Sequence, residues 1–196
     1  MHRDSTGCDA VHKAINELVE GAALERFASL TRRTDLRVQK TQGENEVFAP
    51  CMVVILVTAP DLRLTFKAHF KTNVARGFVA PLFQVAEHTV KSQHAIDLMR
   101  EFCNLTGSAI KKELSEMGYA AGVSLPIVMR GLDELLLQND RIEGYACHWD
   151  ISAGPVAGPV AGPLSGQLRI GISSLTELYQ TGVVSHLKVE SEGGEI

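Results

Sequence analysis

Apolar residues recur along the chain with two different periods, and the switches between them lay out the elements. Over 9–30, Val11, Ile15, Leu18, Val19, Ala22, Ala23 and Phe27 return at helical spacing and predict a first helix. A short strand is expected over 36–40. The segment 47–58 is dense in Val and Ile, as a buried strand is, and Ala59-Pro60-Asp61 marks a turn. Leu62, Leu64, Phe66, Ala68 and Phe70 then alternate with Arg63, Thr65, Lys67 and His69, the period of a strand with one wet face. Helical spacing resumes over 72–87, where Pro81 predicts a kink or break. The longest helical pattern covers 92–117 and is closed by Gly118. Further strands are expected over 123–129, 145–151, 167–172 and 183–189, while 132–140 fits neither period. A short helix over 174–180, capped by Ser173 or Ser174, is expected between the last two strands.

Between Ala153 and Leu164 the unit Ala-Gly-Pro-Val runs three times, with Leu in the last place. Proline removes backbone donors and glycine removes stiffness, so 153–166 is expected to be an exposed, flexible loop insertion. The tail over 190–196 is expected to fray. The order helix, strands, helix, long helix, strands predicts one α+β sandwich domain over 1–196. Its sheet would be largely antiparallel, with long helices packed on one face.

Composition narrows the function classes. Hydrophobic residues make up 45% and charged residues 21% of 196, close to globular averages. The formal net charge of -4, with scattered Lys and Arg, lacks the basic excess of a nucleic-acid binder. Cys8, Cys51, Cys103 and Cys147 are far apart and form neither a zinc unit nor a redox pair. The polar start is not a signal peptide, and the longest apolar run, 49–59, is too short for a membrane helix. The expected setting is a reducing cytoplasm. No Walker-type loop, Gly-x-Ser-x-Gly or dinucleotide fingerprint is present.

On a wheel of about 100° per residue, the long helix has a broad apolar side. Ala95, Leu98, Met99, Phe102, Thr106, Ala109, Ile110, Leu114 and Met117 gather there. Asp97, Glu101, Asn104, Ser108, Lys111, Lys112 and Ser115 lie opposite, with Leu105 at the rim. Glu101 and Asn104 are three apart and so are surface neighbours. A Glu and an Asn on a helix surface are ordinarily a solvated face. Asn is a mediocre helix former, however, and weakens the helix without an evident structural benefit. Asn104-Leu105-Thr106 also fits a glycosylation pattern, which the absent signal peptide disfavours. His88 and His94 are badly spaced for a metal. Alternation puts His148 and Asp150 on one face of their strand and Trp149 on the other, as core or dimer contact.

The stretch EFCNLTGSAIKKELSEMG from Glu101 to Gly118 resembles the active-site helix of the CheX-type chemotaxis phosphatases, which carry Glu-x-x-Asn on a long helix. VSLPIVMRG from Val123 to Gly131 is similar to the strand that follows, with its Pro and closing Gly. The segment 61–83 resembles the family's strand-then-helix unit, and 183–191 its final strand. About two thirds of the chain is covered. The family pattern has Gly four residues after the Asn; here that position is Ser108, and Gly107 sits one residue earlier. The first helix carries Glu17 and Glu20 but no Asn in the matching place. This favours the one-site CheX type over the two-site CheC type.

The resemblance implies a CheC-like sandwich that dephosphorylates a phosphorylated CheY-like response regulator. Asn104 would orient the attacking water, and Glu101 would pair with the regulator's active-site Lys. Leu105, Ser108, Asp97 and Lys112 would contact the partner. The resemblance implies no cofactor of the chain's own: Mg2+ would sit on the regulator. It also implies a homodimer. Two other readings stay open. One is a non-catalytic module that binds a regulator, or pairs through an edge strand, without hydrolysis. The other is a structural protein in which Glu-x-x-Asn is a coincidence.

Overall fold

The computed structural model describes residues 5–41, 49–130, 145–154 and 168–178. Three helices, α1 (Ser5–Thr31), α2 (Thr72–Phe83) and α3 (Ser92–Glu116), accompany seven strands. These are β1 (Arg37–Lys40), β2 (Cys51–Ala59), β3 (Leu62–Phe70), β4 (Gly122–Val123), β5 (Ile127–Arg130), β6 (Tyr145–Ala153) and β7 (Leu168–Leu178). They form one sheet in the order β1-β6-β7-β3-β2-β4, with β5 also paired to β2. Every described pairing is antiparallel. The expected α+β sandwich, with helices on one face of an antiparallel sheet, is the observed architecture.

Register shows that the helices share a face. Ile55 opposes Phe66, Ala68 opposes Ile172, and Ile172 opposes Trp149, so these side chains project from the same side of the sheet. Phe102 of α3 meets Phe66 with ring centroids 5.8 Å apart. Glu20 of α1 meets Trp149. At Gly77 of α2, a Cβ would come within 2.7 Å of the Leu168 side chain. Phe27 of α1 joins the layers, touching Phe78 of α2 at 4.9 Å and Phe102 of α3 at 4.8 Å, both edge-on. Each such pair contributes about 1 kcal/mol beyond area burial.

Several local expectations are corrected. The predicted helix over 174–180 is absent as far as Leu178, because β7 runs unbroken over 168–178. β7 lies between β6 and β3, and ladder bonds on both edges outweigh the capping preference of Ser173 and Ser174. The strand expected over 123–129 is split into β4 and β5, because Pro126 has no N–H to give the ladder. Ser124 bridges the break: its N–H donates to Leu56 O at 2.9 Å, and its hydroxyl accepts from Leu56 N at 3.0 Å. The helix expected over 72–87 stops at Phe83, where Gln84 turns left-handed at φ 55°. The wet face of β3 is interrupted by His69, which is buried and bonded to Ser173 Oγ at 3.1 Å. Ala153 ends β6 and is buried. The rest of the repeat beyond Gly154, the segments 132–140 and 183–189, and the tail lie outside the described residues.

Candidate functional site

The candidate site is the outward face of α3. Its inward face carries buried Ala95, Leu98, Met99, Phe102, Cys103, Thr106, Gly107, Ile110 and Leu114. Met117, expected on that face, is the C-cap and stands exposed. Gly118 follows at φ 90°, a left-handed position that a Cβ disfavours. Gly118 N bonds Ser115 O at 3.0 Å and Tyr119 N bonds Leu114 O at 2.9 Å. This crossed pair satisfies the last carbonyls and ends the helix where the sequence placed its stop.

Two inward residues set the height of α3 above the sheet. A Cβ on Gly107 would lie 2.8 Å from Ile55 Cδ1 and 3.1 Å from Val123 Cγ2. Cys103 Sγ donates to Val53 O at 3.7 Å. Burial pushes the Cys103 thiol well above its ordinary range, so it packs and does not react. Gly107 therefore serves the contact with β2 and β4. Ser108 lies one residue on, about 100° around the helix, on the exposed side.

The expected site residues all lie on one helix, toward the solvent side. Glu101 is exposed and Asn104 half-buried. Asn104 Nδ2 lies 3.5 Å from Glu101 Oε2, a long bond with the amide as donor. A carboxylate accepts only, so the contact uses one of the two amide N–H donors, and Asn104 Oδ1, an acceptor, has no partner among the described residues. Asp97 Oδ1 accepts from Gln93 Nε2 at 2.8 Å. Ser108 is exposed and Leu105 half-buried. Lys112 pairs one turn on with Glu116 at 3.5 Å.

Other candidates disperse. Trp149 is core, 1% exposed, with Nε1 donating to Glu20 Oε2 at 2.9 Å. Asp150 pairs with Arg169 on the opposite sheet face. The His94 ring lies 5.4 Å from that of Phe83. Among the described residues, no three His, Cys, Asp or Glu side chains converge as a metal site, and no helix is long and apolar enough to cross a membrane. A largely apolar cleft lined by Val11, Ile15, Leu62, Leu114, Tyr119 and Leu178, with Asp61, lies toward the C-terminal end of α3 and does not include Glu101 or Asn104.

Sequence reasoning missed two exposed apolar features. Phe83 is 58% exposed, against the first turn of α3. Leu125 and Ile127 are 83% and 59% exposed beside and in β5. Strand alternation gave a signal for the second, since Leu125 and Ile127 share a parity opposite to that of half-buried Val128.

No family model matches the sequence, and no curated relative does. Solved structures do match the fold. The CheX–CheY–BeF3–Mg2+ complex from Borrelia burgdorferi superposes with TM-score 0.57 at 12% identity, over 82% of this chain and 96% of that one. Chemotaxis protein CheX from Vibrio vulnificus gives TM-score 0.59 at 12% identity, over 84% and 99%. FliY from Thermotoga maritima gives 0.51 at 14%, over 88% and 91%. The seven-stranded antiparallel sheet under three helices is thus the fold shared by the CheX, CheC-like and FliY chemotaxis proteins.

Proposed function

We propose that the chain acts in chemotaxis signalling by hydrolysing the aspartyl phosphate of a CheY-like response regulator, with Asn104 and Glu101 as its working residues. The observation that carries this reading is the pairing of one carboxamide with one carboxylate, 3.5 Å apart, on the solvent side of a helix seated firmly on its sheet. The CheX–CheY complex among the fold's neighbours supplies the partner class.

An aspartyl phosphate is already labile, so positioning of water is the main contribution needed. An amide is no base at neutral pH, but Asn104 Oδ1 can accept a hydrogen bond from water and aim its lone pair at phosphorus. The water oxygen bonds to phosphorus as the P–O bond to the aspartate breaks. The aspartate leaves as carboxylate, and the water proton goes to the released phosphate. Mg2+ belongs to the regulator and neutralises charge there. Glu101, freed from its weak contact with Asn104, pairs with the regulator's Lys as docking excludes water. Asp97, Leu105, Ser108 and Lys112 surround the pair as partner contacts. A cytoplasmic location goes with this partner. A homodimer would use the β5 edge, where Leu125 and Ile127 are exposed.

A second reading is favoured by Ser108, which puts a side chain on the docking face where the family pattern has glycine. In that reading the chain binds the regulator without hydrolysis. The deciding experiment follows phosphate release from a phosphorylated CheY-like regulator. Asn104→Ala is expected to lower stimulated release about 100-fold with the fold unchanged by circular dichroism. Unchanged release in that variant refutes the phosphatase reading. Binding without release by the native chain selects the second reading, with Ser108→Gly as its check.

A further inference from the structure

Asn104 stands on a charge boundary of α3. On the helical wheel, Asp97 and Glu101 lie about 20° and 60° to one side of it, and Arg100 and Lys111 lie about 40° and 20° to the other. All four flanking residues are exposed. The face thus has an acidic flank and a basic flank, with one carboxamide between them.

The two flanks are satisfied differently. Glu101 Oε2 accepts from Asn104 Nδ2 at 3.5 Å, and Asp97 Oδ1 accepts from Gln93 Nε2 at 2.8 Å. Neither Arg100 nor Lys111 forms an ion pair among the described residues. Helical spacing explains this. Asp97 is the one carboxylate three or four residues from Arg100, and Gln93 engages it. Lys111 has Gly107, Ser108, Leu114 and Ser115 at those spacings, with no carboxylate. Lys112, on another stripe, does pair with Glu116 at 3.5 Å.

A phosphoryl group brought to Asn104 arrives with close to two negative charges, roughly −1.5 to −2. Asp97 and Glu101 oppose it through space, and a cation on the other flank offsets them. Arg100 lies one turn before Asn104, a spacing at which Cβ atoms are about 5–6 Å apart. Helical side chains lean toward the N-terminus, so Asn104 covers the turn that carries Arg100. A guanidinium can hold two phosphoryl oxygens through parallel N–H donors. Lys111 lies about 10 Å along the axis from Asn104 and adds field to the same flank.

We propose that Arg100 recognises the phosphoryl group of the regulator and makes docking selective for the phosphorylated form. This rests on a CheY-like regulator being the partner of the α3 face. The acidic flank then meets a cation of the regulator, and the basic flank meets its phosphoryl oxygens.

The test measures binding of the full chain to a CheY-like regulator with and without Mg2+ and beryllofluoride, a mimic of the phosphoryl group. The native chain is expected to bind the loaded form about 10-fold or more tightly than the unloaded one. Arg100→Gln lowers that preference about 10-fold. Arg100→Lys keeps the charge but loses the fork, and lowers it less. An unchanged preference in Arg100→Gln, or an equal loss for both forms, overturns the proposal, as does a native chain with no preference. Phosphate release separates this result from the phosphatase reading. If Asn104→Ala leaves release unchanged while Arg100→Gln loses the preference, hydrolysis by Asn104 is refuted and the role of Arg100 stands. If Asn104→Ala abolishes release while Arg100→Gln keeps the preference, the role of Arg100 alone is refuted.

Discussion

α3 and α1 lie on the same face of one sheet and share its apolar core, but the rest of each seat differs. α3 is seated by an absence of side chain at Gly107, which lets its backbone settle against Ile55 and Val123, and by Phe102 against Phe66. The N-terminal part of α1 packs through Val11, Ile15 and Val19 and adds a polar stripe, His12, Asn16 and Glu20, over Tyr145, Cys147 and Trp149. The difference bears on what each helix can present. A close seat limits how far a helix can rock, which is what a fixed outward pair such as Glu101 and Asn104 requires. The α1 stripe spends its polar groups inward: Glu20, which sequence comparison set beside the missing second site, is the acceptor for the Trp149 indole.

Three measurements would break or sharpen this contrast. The largest effect is expected at the seat of α3. Gly107→Val places new atoms where even a Cβ meets Ile55 Cδ1 at 2.8 Å. It should cost about 3 kcal/mol in urea unfolding and also weaken any activity carried by Asn104. A cost near zero would mean that α3 floats and that the contrast is false. Next comes the seat of α1. Trp149→Phe removes the indole N–H and leaves Glu20 without that donor. The expected loss is about 2 kcal/mol, with phosphate release from the regulator unchanged. A fall in release would show that the two helices are coupled.

The smallest effect is expected where α1 leaves the helix layer. Arg33 donates two hydrogen bonds to the Asp35 carboxylate and one to Gly154 O, and Gly154 N donates to Asp35, clamping the end of β6. The hydrogen bonds from Arg33, then that from Gly154, hold the Asp35 carboxyl below its ordinary 3.8, at about 2. A depressed carboxyl stabilises the fold above its ordinary pKa and loses that contribution as pH falls toward 2. The group is half-exposed, so solvent screening keeps the effect under about 1 kcal/mol. Native chain and Asp35→Asn should therefore differ slightly at pH 6 and converge near pH 2. A persistent gap at low pH would deny the clamp.

Much of the fold was legible in period alone. The spacing of Val11, Ile15, Val19, Ala23 and Phe27 matches the buried stripe of α1, and the alternation from Leu62 to Phe70 matches the helix-facing side of β3. The wheel of α3 placed Glu101, Ser108 and Lys112 outward, where they are found. It did not distinguish Gly107, whose role depends on Ile55 and Val123, residues far away in the chain. Nor did it show that Asn104 is half-buried, with its amide turned toward Glu101. Ser173 and Ser174 read locally as a helix cap and became the middle of a central strand.

The sequence by itself determined which faces are apolar, where α3 stops and that Glu101 and Asn104 are neighbours, because each follows from interactions within a few residues. The tertiary structure decided that β7 is a strand, that Gly107 is a packing contact and that Ser174 and Thr176 face inward beneath α1. Those outcomes depend on partners brought together only by the closing of the sheet, and a local pattern holds no information about which partners those are.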